Sequence, residues 1–144
     1  MERVDLRNEM QEVYAHTFLF KMAANLVSIF LPLYILELGY GVPAVFTFFA
    51  VYYGAYILGS IPLGYLTSKI GYKHAALASC PFILLFYLLL ETSPEGNLLY
   101  LIAAIGGFGF NLYWMGMNPE VAESSHDDKR EVEAGIFFSM PTLA

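Results

Sequence analysis

Charged positions fall in clusters, and the stretches between them are long and apolar. No Asp, Glu, Lys or Arg occurs between Lys21 and Glu37, between Glu37 and Lys69, between Lys73 and Glu91, or between Glu95 and Glu120. A helix rises about 1.5 Å per residue, so about 20 apolar residues, within a range of about 17–25, cross the hydrocarbon core of a bilayer. The pattern predicts four transmembrane helices, at about 16–38, 43–67, 75–91 and 97–117. From Ala134 a fifth apolar run, AGIFFSMPTLA, continues for 11 residues to Ala144. That is too short to cross, so the expectation is a piece of a larger membrane protein, ending at the start of its fifth span (134–144). Residues 1–13, MERVDLRNEMQEV, do not have the short basic region and apolar core of a cleavable signal. They read as a short interfacial helix leading into span one, or as a frayed tail.

Composition points to lipid as the solvent. The chain is 58% hydrophobic and only 14% charged, where a soluble domain is about a quarter charged. Four helices buried in a soluble protein would need polar surface that these short loops cannot supply. The expected fold class is therefore all-α, a polytopic membrane helix bundle with the lipid bilayer as its partner. The net charge of −6 offers nothing to attract nucleic acid.

Basic residues alternate between the gaps. Arg3 and Arg7 precede span one, Lys69 and Lys73 lie between spans two and three, and Lys129 and Arg130 follow span four. The gaps LELGYGVPA and ETSPEGN have no Lys or Arg. Short cytoplasmic loops carry the excess of Lys and Arg, and Asp and Glu contribute little to that rule. The N-terminus, the 2–3 loop and the 4–5 loop are therefore expected on the cytoplasmic side of the cell (inner) membrane. Only Lys21 stands outside this tally.

Candidate chemistry is sparse. Cys80 is the single cysteine and lies in an apolar span, where it reads as a small packing or lipid-facing residue. His16, His74 and His126 are far apart in the sequence, so no metal site is expected. No paired carboxylates, phosphate-binding glycine loop or nucleophile with a nearby base supports an enzyme, and no cofactor is expected. Span two carries small residues four apart (Ala50 and Gly54, Ala55 and Gly59, Ser60 and Gly64), and span four carries Gly106, Gly107 and Gly109. Such residues let membrane helices approach closely, or serve as a moving interface. Span three is the greasiest and is expected to face lipid. Pro32, Pro62 and Pro81 are candidate kinks.

Polar residues inside the spans are few. Lys21 and Asn25 are four apart, so they share one face of a helix. Asn111, Tyr113 and Trp114 lie on span four. With the orientation above, both sets fall in the cytoplasmic half of the membrane, which makes a shared polar pathway a candidate. Two alternatives stay open. Lys21 is about one turn inside span one and can snorkel to the surface. Tyr113 and Trp114 can belong to an interfacial aromatic belt.

The stretch GYLTSKIGYKHA resembles the loop between the second and third helices of the major facilitator superfamily. That motif reads Gly, three residues, Asp, a basic residue, any residue, Gly, then one or two basic residues. Gly64, Lys69, Gly71 and Lys73 match it, Ser68 stands where the family has Asp, and Tyr72 replaces one basic residue. A second stretch, NLYWMGMNPEVAESSHDDKREVEAG, resembles the end of helix four and the loop that follows it, with Tyr113, Trp114, Arg130 and Gly135 at the matching positions. The resemblance covers nearly the whole chain but only the first third of a typical member. It implies the N-terminal part of a secondary transporter. Such a protein rocks two six-helix bundles around a central site for an unidentified small molecule, and the missing remainder is a partner. The basic residue common early in helix four is absent from LLYLIAAIGG, which argues against proton-coupled antiport. In the family the 2–3 loop is a latch. Ser68 can still accept a hydrogen bond as a cap, but it lacks the charge that a carboxylate would bring to a helix N-terminus, so a weaker latch is expected here. A complete four-span assembly or regulatory module without transport activity is the alternative reading.

Overall fold

The computed structural model describes the backbone of residues 2–92 and 94–124, and the side chains of 15–92 and 94–118. The described backbone is four helices joined by short turns, without strands: α1 (Glu2–Glu37), α2 (Val42–Ile70), α3 (Tyr72–Glu91) and α4 (Leu98–Ser124). Each is long and apolar enough to cross a membrane, over Ala15–Glu37, Val42–Ile70, Tyr72–Glu91 and Leu98–Asn118. This is the helix bundle of a multi-pass membrane protein. The expected start of a fifth span at 134–144 lies outside the described residues. The chain divides into two compact units, of which one includes Met1–Leu33 and the other is Tyr34–Pro119.

In the first unit α1 is a continuous helix that takes in residues 2–13 together with span one. Most of its described apolar side chains are exposed, among them Leu19, Leu26, Ile29 and Phe30, while Thr17 is buried. His16 stacks on Phe20 one turn away, with ring centroids 6.3 Å apart.

In the second unit α4 is the most enclosed helix. Buried residues make up 56% of its apolar window, against 28% in α3 and 11% in α2. Its glycines explain this. A Cβ on Gly107 would collide with the carbonyl oxygen of Tyr52 on α2, and one on Gly109 would sit 2.8 Å from Phe82 Cβ on α3. A Cβ on Gly116 would lie 2.7 Å from both Tyr72 O and Ala76 N at the start of α3. Only a residue without a Cβ lets these backbones come so close, and dispersion across such contacts drives helix association in lipid. Tyr52, Phe86 and Phe110, one from each helix, fill the seam with centroids 6.2–6.3 Å apart.

Span three is two-sided. Ala75, Ser79, Ile83, Phe86 and Leu90 are buried at helical spacing, while Leu77, Leu84, Leu85 and Leu88 are exposed. Its greasiness therefore serves packing on one face and exposure on the other. Pro62 and Pro81 lie within α2 and α3, which continue through them.

The expected 68–74 loop is much shorter. α2 continues to Ile70 and α3 begins at Tyr72, so Gly71 alone separates them. Its N–H donates to Thr67 O (2.9 Å), and its carbonyl accepts from Ala75 N (3.0 Å). Its φ of 85° and ψ of 145° are open essentially to glycine alone.

Candidate functional site

Asn111 is the polar centre of the second unit. It projects from α4 and is fully buried (0% exposed). Its Nδ2 donates to the carbonyl oxygen of Tyr56 and, at 3.1 Å, to Ser60 Oγ, both on α2. Ser60 Oγ in turn donates to Tyr56 O at 3.0 Å. Gly59 leaves room for this: a Cβ there would stand 3.3 Å from Asn111 Nδ2, a tight contact. With both amide protons used, Oδ1 is left buried and without a hydrogen-bond partner. An acceptor in that state costs about 1–3 kcal/mol, and hydrocarbon offers no water to relieve it. The arrangement can take one further donor, such as a hydroxyl, an amide N–H or an ammonium.

The remaining candidates lie as follows. Tyr113 is buried and Trp114 partly exposed, their rings edge to face at 5.2 Å. Lys21 and Asn25 are both partly exposed on α1 and belong to the first unit, whereas Asn111 belongs to the second. Ser28 Oγ donates to Asn25 O at 2.9 Å.

The 2–3 motif sits around Gly71. Gly64 lies inside α2, with open space where a Cβ would be. Ser68 is not a cap for α3. Its hydroxyl donates back to Tyr65 O at 2.8 Å in the last turn of α2, while the N-cap of α3 is Gly71, without a side-chain bond. The reason is the one-residue link, which leaves Ser68 on the α2 side. Lys69 lies over the Tyr65 ring, 4.4 Å from its centroid, and Lys73 is exposed in the first turn of α3. Arg130 and Gly135 lie outside the described residues.

Sequence reasoning missed Tyr56 and Ser60 as partners of Asn111. Their signal is the four-residue spacing beside Gly59, which marks a small-residue face able to admit a polar side chain. It also missed Gly116 and two tyrosines at the opposite end of the bundle. Tyr34 Oη donates to Leu90 O at 2.6 Å, and Tyr40 Oη donates to Pro94 O at 2.9 Å.

Compared with known proteins, residues 9–144 match the family described as Major Facilitator Superfamily. No curated protein and no solved structure matches the chain.

Proposed function

We propose that this chain, which belongs to the major facilitator superfamily, serves secondary active transport of a small solute across the cytoplasmic membrane by alternating access. In this reading the Gly71 end faces the cytoplasm, because Lys69 and Lys73 lie there, and the Tyr40 end faces outward. The N-terminus is then cytoplasmic as well.

The observation that carries the reading is the unpaired Oδ1 of Asn111, buried between α2 and α4. Alternating access needs a second packing of the same helices. A polar group enclosed in one packing can meet solute in the other, and a donor on the solute would relieve the acceptor. Lys21 and Asn25 line the pathway as well, with Lys21 attracting an anionic group of the solute. An ammonium within a span is costly in lipid and usually faces protein or water. Tyr113 and Trp114, next along α4, line the pathway beside Asn111.

The test is uptake by cells with and without the full-length protein, screened over a panel of labelled small solutes. Once a solute is found, Lys21→Met and Asn111→Ala are compared with wild type at equal expression. Loss of about tenfold or more in uptake is expected for Asn111→Ala. For Lys21→Met, lost transport or altered solute preference is expected. Transport indistinguishable from wild type in both variants would contradict the assignment of these residues.

A further inference from the structure

At the end of the bundle opposite Gly71, three chain segments meet in sequence order that no local rule would pair. The tail of α1 supplies Tyr34. The α1–α2 turn supplies Tyr40. The α3–α4 turn and the end of α3 supply the carbonyls. Tyr34 Oη donates to Leu90 O (2.6 Å), one of the last four carbonyls of α3, which have no intrahelical donor. Tyr40 Oη donates to Pro94 O (2.9 Å) and reaches Gly96 O (3.5 Å). Pro94 itself is buried. Ile35 and Leu99 are fully buried at the same end. The two turns are shaped for this, since Gly39 (φ 88°) and Gly96 (φ 57°) both take left-handed backbone.

Just before the tied segment, α1 is weakened. Pro32 has no N–H, so the carbonyl of Ser28 loses its helical donor. The boundary between the two compact units falls in the next turn, between Leu33 and Tyr34.

We propose that Tyr34 and Tyr40 form a clasp that makes the tail of α1 part of the α2–α4 body. Motion of the rest of α1 is then taken up over residues 28–33, while the tail, the end of α3 and the turn into α4 stay joined. This goes beyond the transport reading and does not depend on knowing a solute.

The test is amide hydrogen exchange of the full-length protein in lipid nanodiscs, comparing wild type with Tyr34→Phe and Tyr40→Phe. Each change removes one hydroxyl and keeps the ring. The clasp predicts that either variant speeds exchange about three- to tenfold in both 34–41 and 90–98, leaving the middle of α2 unchanged. Faster exchange confined to the mutated segment, or no change, would overturn it. Tyr40→Phe lies in a turn, so it keeps the test available if Tyr34→Phe fails to fold. Pro32→Ala restores the missing donor and should slow exchange over 28–33 while leaving 90–98 as in wild type. Unchanged exchange over 28–33 would overturn the placement of the hinge.

Discussion

The two ends of the second unit solve one problem in different ways. At the Gly71 end, α2 and α3 are joined by one residue, and Gly116 lets α4 press its backbone onto Tyr72 and Ala76. Ser68, Lys69, Lys73 and His74 there are exposed, and Thr67 is the one polar side chain of the last turn of α2 that is buried. At the other end the links are longer, and tyrosine hydroxyls reach across to carbonyls. Main-chain groups at a helix end must be satisfied or kept near water. One end does this by contact without side chains, the other by side chains that span a gap. A tie made of backbone contacts is broken by adding atoms; a tie made of hydroxyls is broken by removing one.

That contrast sets the order of expected effects. Gly116→Leu should cost most, about 3 kcal/mol or more, because the added side chain meets main-chain atoms that cannot step aside. Thermal unfolding of the purified protein measures it, and a wild-type midpoint would mean the approach of α4 to α3 is looser than described. Gly71→Val follows, at about 1–3 kcal/mol, since its backbone angles suit glycine alone. Gly71→Asn sharpens the point: asparagine tolerates left-handed helical backbone, but ψ of 145° lies outside that region, so it should not rescue stability. Tyr34→Phe at the far end should cost about 1 kcal/mol, the usual worth of one hydrogen bond. Ser68→Ala should change stability by no more than about 0.5 kcal/mol, because its hydroxyl makes only an exposed bond within its own helix. A large effect there, with little at Gly71, would invert the comparison.

The spans were legible because lipid leaves so little freedom: a charge-free run of sufficient length has few other uses. The link between α2 and α3 was not. Ser68, Lys69, Lys73 and His74 read as loop because they are polar, yet a helix end at a membrane surface exposes the same residues while staying helical. For that reason Ser68, able to cap a helix, bonds back within α2 instead. Asn111 stood out as polar, but depth along a helix does not say which neighbour a side chain meets, so Tyr56 and Ser60 went unnoticed. The tyrosine clasp was hidden more deeply. Tyr34 and Leu90 are 56 positions apart, and nothing in a chain with 11 tyrosines marks which ones reach a carbonyl.

Alternating access is the claim on which the functional reading turns, and counterflow tests it most directly. Liposomes holding the purified full-length protein are loaded with an unlabelled solute from the uptake panel and diluted into a trace of the labelled form. A carrier that exposes one site to each side in turn should accumulate label transiently above its equilibrium level, and Asn111→Ala should lose that overshoot. Simple equilibration without an overshoot, at the rate seen in unloaded liposomes, would contradict the account.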